Sequence, residues 1–318
     1  MASSEKYKLI QKTYRKKFLL LQKEMEKEFS STSKKLMEKI NRVAFDYAGS
    51  DGLFLKSQMD QIKMETEAIS YWFSNEMKDW LDNNIVSSTD IAIKGQDTAT
   101  EYYIRSLIQE AAGKEKAILR RAISGGDGIL LRAKFGEGLT RQLRSIAWKT
   151  RWKDGFTLSE RVWKLNHIVN GNLHNMIEAC VNEGMSAVNF SRAVEQYLEI
   201  PGPIWTAKVK SIITDGGSVK YNAFRLARTE TNNAYREAQN LSAKESDIVK
   251  GIKWNLSGSH PEYDICDDWA TQDLYGLGAG VYPPGSLPPG HPNCLCYLTD
   301  VLYEGEELVN TLKQKYAA

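Results

Sequence analysis

Cysteine and proline are scarce in this chain of 318 residues, which has four cysteines and eight prolines. So few cysteines exclude a secreted scaffold that is held together by disulfides. The opening segment MASSEKYKLIQKTYRKK lacks the apolar core of a signal peptide, and the early apolar run at residues 18–21 is far too short to cross a bilayer. We therefore expect synthesis in a cytoplasm. The 42% of hydrophobic residues are enough for a folded core.

A charge excess of one sign is also missing, because 42 basic and 40 acidic residues leave a net charge of +2. Any bias toward nucleic acid must therefore be regional. Residues 114–154 hold eleven basic against four acidic side chains, and their glycines indicate a loop or a broken helix. Such a region can lie along a phosphate backbone or an acidic protein surface, or it can be a solvated face. The residues expected to contact DNA or such an acidic surface are Arg141, Arg144, Lys149 and Arg151.

Helical periodicity dominates the rest of the first 250 residues. Apolar residues recur every three or four positions from Tyr7 to Phe29, which predicts a long helix that packs on the same chain or on a partner helix. Thr157 and Glu160 form a capping-box pattern that predicts a helix start, and Gly184 predicts its end.

A further helix is expected after Ser218, in the segment YNAFRLARTETNNAYREAQNLSAKES. Its charged residues recur at helical spacing, so we expect them to form ion pairs on the surface. These residues are Arg225, Arg228, Glu230, Arg236 and Glu237.

The composition changes after Lys253. No lysine or arginine occurs again before Lys313, nine acidic residues fall in between, and six of the eight prolines lie there. We expect a region so rich in turns not to be helical. The flanking segments GIKWNLSG and CLCYLTDVL alternate like short strands. We expect a small, mostly irregular module with a short β-ribbon, closed by a C-terminal tail.

These patterns predict a mainly α protein with a small irregular α+β module at its C-terminus. The expected segments are an N-terminal helical region (1–112), a basic connector containing glycine (113–154), a second helical region (155–250) and the C-terminal module with its tail (251–318).

Three of the four cysteines lie in this module, where HPNCLC places a histidine and two cysteines within six residues. In an extended Cys-x-Cys both sulfurs point to the same side, and a third sulfur completes a cross-link between two loops. A loop-rich module lacks the apolar core to hold itself, so a closed structural zinc site would supply folding energy. The expected ligands are Cys266, His291, Cys294 and Cys296.

The fourth ligand is the open point of this site. His291 is the first choice by proximity, while His260 and Asp264 are alternatives. Unligated buried thiols or a disulfide are the alternative to zinc. A catalytic zinc would need an open coordination position and a general base, and the chain has no His-Glu-x-x-His motif. Cys180 lies on a predicted helix and is expected to be a packing residue.

The same segments carry a resemblance to a known family. WNLSGSHPEYDICDDWA, followed by GLGAGVYPPGSLPPGHPNCLCYL, resembles the C-terminal signature of phage head-morphogenesis proteins similar to protein F of phage Mu, in the branch found in phages and prophages of Gram-positive bacteria. ARTETNNAYREAQ, with Arg228, Thr229 and Glu230, is similar to the family's Ala-Arg-Thr-Glu helix. The resemblance covers roughly residues 155–300. Many members have Cys-x-x-Cys where this chain has CDDW, so a histidine must replace the missing cysteine.

The resemblance implies a minor capsid protein of the virion, present in a few copies in the capsid interior or the portal region. Its implied partners are the portal protein, the scaffold or major capsid protein, and packaged double-stranded DNA. It implies no reaction, and ARTET lacks the Glu-x-Glu pair of an ADP-ribosyltransferase. The alternative is a stand-alone nucleic-acid-binding protein, which salt-dependent binding to DNA would distinguish.

Overall fold

The computed structural model describes residues 3–123, 130–136, 138–151, 155–202, 205–213, 217–260 and 262–316. Within these ranges the chain is mainly α-helical, as the sequence predicts, with one three-stranded sheet near the C-terminus. The helices are α1 (Ser3–Asp46), α2 (Met59–Glu110), α3 (Gly113–Ile123), α4 (Leu131–Phe135), α5 (Gly138–Lys149), α6 (Leu158–Glu183), α7 (Ala187–Glu199), α8 (Ala207–Ile212), α9 (Val219–Lys244), α10 (Ile265–Thr271) and α11 (Gly305–Tyr316). The strands are β1 (Val249–Asn255), β2 (Val281–Tyr282) and β3 (Tyr297–Leu302). Lys153 of the basic region, Pro203 and Pro261 lie outside the described residues.

The chain divides into two compact units. One contains Met1–Gln22, Asn84–Ala147 and Thr229–Ala318, and the other contains Lys23–Asn83 and Trp148–Arg228. These units do not follow the four consecutive segments expected from the sequence, because α1, α2 and α9 are long and contribute residues to both. No helix in the described ranges is long and apolar enough to cross a membrane.

The first unit contains the sheet, whose strand order is β2-β1-β3 with both pairings antiparallel. The β1 and β3 pair confirms the expected ribbon, and β2 adds a third strand. Trp254 of β1 and Leu298 of β3 are buried in the same cluster as Tyr7 of α1, Tyr103 of α2 and Leu119 of α3. The C-terminal module is therefore part of a larger core and does not stand alone.

Aromatic packing and helix caps organise the second unit. Phe29 lies 6.0 Å from Phe73 and 5.0 Å from Phe224, measured between ring centroids. The predicted capping box is present at the start of α6, where Thr157 and Glu160 bond to each other's backbone. Gly184 ends α6 with a left-handed φ of 67°, as expected for a C-cap.

The apolar stripe of α1 packs inside the chain. Tyr7, Phe18, Met25 and Phe29 are all buried, which confirms the intrachain alternative. The basic region forms the broken helices α3, α4 and α5. Asp97 accepts hydrogen bonds from the backbone amides of Leu131 and Arg132 at 2.8 and 3.0 Å, and so caps α4.

One expectation for the C-terminal module was wrong, and one of its helices was not predicted. The segment rich in proline and glycine contains the short helix α10, because Asp264 forms a capping box with Asp267 at its start. The expected tail contains helix α11, whose Leu308 and Leu312 are one turn apart and are buried in the core of the first unit. Both helices are stabilised by contacts that proline content alone does not reveal.

The expectation of surface ion pairs along α9 was also wrong for two residues. Glu230 and Arg236 are only 2% and 7% exposed. Arg228 does form an ion pair, at 3.1 Å with Glu26. One face of α9 is therefore a buried polar surface.

Candidate metal centre

Three thiols and two histidines lie together in the first unit. Cys266 belongs to α10, while Cys294 and Cys296 belong to the loop that leads into β3, and all three are at most 2% exposed. The Sγ atoms of Cys266 and Cys294 are 3.5 Å apart. Cys266, His291 and Cys294 each offer one donor atom, and these atoms lie within 4.8 Å of one another. This group is able to hold a metal ion.

The local sequence explains how the loop turns. Asn293 has a left-handed φ of 62°, a conformation that asparagine tolerates better than most residues. The turn brings the amide of Cys294 to 3.2 Å from the carbonyl of His291. At the other segment, the Asp264 carboxylate accepts a hydrogen bond of 2.6 Å from the amide of Cys266. Both sulfur-bearing segments are thus fixed by their own backbone hydrogen bonds.

His291 has polar neighbours at both ring nitrogens. Its Nδ1 lies 2.9 Å from the carbonyl oxygen of Pro292, and because a carbonyl only accepts, Nδ1 must carry the proton. Nε2 is buried and lies 3.2 Å from Asp264 Oδ2. A histidine that donates from one nitrogen to a carbonyl can present the other nitrogen to a metal once that nitrogen is deprotonated.

His260 lies beside the remaining sulfur. Its Nδ1 is 3.9 Å from Cys296 Sγ, and its Nε2 lies 2.8 Å from Asp267 Oδ2. The hydrogen bond with Asp267 raises the pKa of His260 above its ordinary value, which favours the protonated ring. His260, Asp264 and Asp267 form a second group whose donor atoms are within 4.8 Å of one another.

Charge is unevenly distributed among the thiols. Hydrogen bonds from Cys266 and Cys296, together with the charge of Arg236, hold the pKa of Cys294 well below its usual range. The pKa of Cys266 is raised in turn, because its thiol is hydrogen-bonded to Cys294 and Cys296 and is buried. Cys294 is therefore the first of the three to become a thiolate, the form that binds metals.

A polar stripe on α9 holds the cysteine loop, and the sequence analysis missed it. Thr229 Oγ1 accepts a hydrogen bond of 2.8 Å from the amide of Asn293, and Asn232 Nδ2 donates to the carbonyl of Cys294. Arg236 Nη2 donates to Cys294 Sγ at 2.9 Å, and Asn240 Oδ1 accepts from the amide of Gly285 at 2.8 Å. Positions 229, 232, 236 and 240 follow helical spacing, so they could have been recognised as one polar face.

The remaining candidate residues lie outside this centre. Arg141 and Arg144 are exposed on α5, one turn apart, and Lys149 is exposed at its end. Arg151 is exposed and forms an ion pair with Glu160 at 3.4 Å. The described residues thus bring together the cysteines, the histidines and the motif helix, but not the basic side chains.

Comparison of the chain with protein-family models, with curated proteins and with solved structures finds no match.

Proposed function

We propose that this chain is a structural minor head protein of a tailed bacteriophage, which acts in head morphogenesis at or near the portal and catalyses no reaction. The observation that carries the proposal is the contact between the two segments on which the family resemblance depends. The ARTE helix and the HPNCLC loop meet through Thr229 with Asn293, and through Arg236 with the carbonyl of Cys296 at 2.6 Å. The polar groups of both motifs are used to hold the chain together, which supports a structural role.

In this proposal the cysteine cluster binds zinc through Cys266, His291, Cys294 and Cys296. A tetrahedral site with Zn–S bonds of about 2.3 Å places its sulfurs about 3.8 Å apart. The Sγ atoms of Cys266 and Cys294 are 3.5 Å apart, which fits that distance. The donor atom of His291 lies within 4.8 Å of the sulfurs of Cys266 and Cys294, which supports His291 as the fourth ligand. His260, whose Nδ1 lies 3.9 Å from Cys296 Sγ, is the alternative. Zinc would join α10 to the loop before β3 and so close the segment of chain between Cys266 and Cys294 into a loop.

The exposed basic residues of α5 supply the proposed contact with packaged DNA or with an acidic face of the portal protein. Arg141 and Arg144 lie on the same helical face, so their charges add at one surface. Portal protein and the scaffold or major capsid protein are the proposed protein partners, and the assembled virion is the proposed location.

Mass spectrometry of purified proheads and mature virions tests the structural role. We expect peptides of this chain in portal-containing particles, in a few copies per particle. Absence of the chain from both kinds of particle would contradict the proposal.

Elemental analysis of the chain made in zinc-supplemented cells tests the metal site separately. We expect one zinc per chain, a large loss of affinity in His291→Ala and a small one in His260→Ala. The reverse order would assign the fourth ligand to His260. Well-folded protein that lacks zinc and has three titratable thiols would contradict the site.

A further inference from the structure

Arg236 is a buried cation at the sulfur cluster. Its side chain is 7% exposed, and its Nη2 lies 2.9 Å from Cys294 Sγ and 2.6 Å from the carbonyl oxygen of Cys296. Its guanidinium carbon lies 4.9 Å from the centre of the Trp254 ring. The planar group is therefore fixed on one side by the ring and at its end by the loop.

The chain makes room for this guanidinium at Gly290. A Cβ atom at that position would lie 1.9 Å from Arg236 Nη1 and 3.1 Å from Asn233 Oδ1. Any other residue at Gly290 would therefore displace the arginine or the loop. The glycine that precedes HPNCLC thus allows the close approach of the loop to α9.

The negative charge of the proposed metal site requires a buried cation beside it. Three thiolates, a neutral histidine and a divalent ion sum to about one negative charge, and burial of a net charge is unfavourable unless it is paired. No lysine or arginine occurs at residues 254–312, and His260 is already paired with Asp267 at 2.8 Å, so the compensating charge must come from another part of the chain. The nearby Arg15 donates to the carbonyl of Leu295 and stacks on Tyr297, whereas Arg236 donates directly to a sulfur.

We infer that Arg236 is a positioning residue of the metal centre, which neutralises the Cys294 thiolate and couples metal binding to the docking of the loop on helix α9. The inference rests on the proposed zinc site. Arg236 lies on the helix of the ARTE motif, eight residues after Arg228, and touches a metal ligand without touching the metal. Groups that bond to metal ligands in this way orient the ligands and adjust the affinity for the metal.

The test measures zinc affinity of the full chain by competition with a chelator, for the wild type, R236Q, R236K and R225Q. Loss of an outer-shell partner typically lowers metal affinity about 10- to 100-fold, and we expect a loss in that range for R236Q. R236K keeps the positive charge and should lose clearly less. R225Q removes the same charge from an exposed position of the same helix and should bind zinc like the wild type.

The possible outcomes distinguish failure of the role of Arg236 from failure of the proposed zinc site. A wild-type chain that binds no zinc contradicts the metal site itself. A wild type that binds zinc with R236Q equally tight, or with R236K as weak as R236Q, overturns the role of Arg236. If R236Q does not fold, R236K decides alone: it supports the role by binding zinc within tenfold of the wild type, and a larger loss overturns it.

Discussion

The Tyr7 hydroxyl donates a hydrogen bond of 2.5 Å to the carboxylate of Asp300, 293 residues further along the chain. Asp300 is 2% exposed, and the side-chain amides of Gln11 and Gln96 also donate to it, at 2.9 and 2.5 Å. None of the three donors carries a charge. The network joins α1, α2 and β3 within the first unit.

Tyr7→Phe should destabilise the first unit by about 1–3 kcal/mol, because a buried carboxylate loses one of its hydrogen-bond donors while the ring contact with Tyr103 is kept. Urea unfolding measures the change. Tyr71→Phe is the control, since Tyr71 is 53% exposed and its ring also contacts an aromatic neighbour, Trp163. Equal stability of Tyr7→Phe and the control would show that the network contributes little.

The same carboxylate predicts a dependence of stability on pH. Burial raises the pKa of Asp300 above its ordinary value, although the hydrogen bonds from Tyr7, Gln96 and Gln11 oppose the shift. The folded chain therefore binds this proton more tightly than the unfolded chain does. The contribution of Asp300 to stability is complete below the ordinary aspartate pKa of about 3.9 and is lost as pH rises through the raised value.

Asp300→Asn removes this titration and isolates it from the other carboxylates. The free energy of unfolding of the wild type minus that of Asp300→Asn should increase as pH falls from 7 toward about 4. Urea unfolding of both proteins at several pH values gives this difference directly. A difference that stays constant, or that decreases on acidification, would contradict the raised pKa.

Local signals in the sequence predicted both ends of α6 and the strand that contains Trp254. The capping box at Thr157 and Glu160, the C-cap at Gly184 and the strand alternation around Trp254 each depend on neighbours within a few residues. The grouping of Cys266 with HPNCLC was also predictable, because thiols are rare and clustered here. These features need no knowledge of the tertiary structure.

Contacts between distant segments were not predictable in this way. The two units are discontinuous in sequence, so a division into consecutive segments could not find them. The charge pattern of α9 is that of an exposed helix, but Glu230 and Arg236 are buried, and Arg236 contacts Cys294 and Cys296 of a loop that lies far away in the sequence. Asp300 looks like one of many acidic residues of the module until Tyr7 and Gln96 are placed beside it.

Cys294→Ser should release the metal and expose the loops of the C-terminal module to proteases. The strands share their core with Tyr7 and Tyr103, so we expect the first cuts in residues 256–264 and 272–296 and later cuts elsewhere in the first unit. The second unit should stay protected by its own aromatic core. Elemental analysis and limited proteolysis, with cleavage sites read by mass spectrometry, measure both effects.

Cys180→Ser is the matched control for that prediction. Cys180 is also a buried thiol, whose pKa is raised to about 12 by burial, but it lies beside Met185 in the second unit. Its substitution should leave the metal content unchanged. Equal metal content in Cys294→Ser and Cys180→Ser would exclude Cys294 as a ligand.

The basic residues of the connector give the last prediction. Replacing Arg141, Arg144, Lys149 and Arg151 with glutamine should weaken binding to DNA or to the portal protein and flatten its salt dependence. Each phosphate contact contributes about 0.9 to the slope of log K against log salt. Arg151 is exposed and pairs with Glu160 at 3.4 Å, so part of its charge is already compensated within the chain.

The control replaces four exposed lysines of α1 with glutamine, which removes the same charge from another surface; these are Lys12, Lys16, Lys23 and Lys27. Binding should be measured at several salt concentrations with double-stranded DNA and with purified portal protein. Equal weakening by the connector substitutions and by the α1 substitutions would indicate a diffuse effect of charge. No weakening by the connector substitutions would show that the connector is a solvated surface without a binding role. The chain could bind DNA through the connector and yet be absent from particles. That result would favour the stand-alone nucleic-acid-binding alternative, because a head protein must enter the particle to act there.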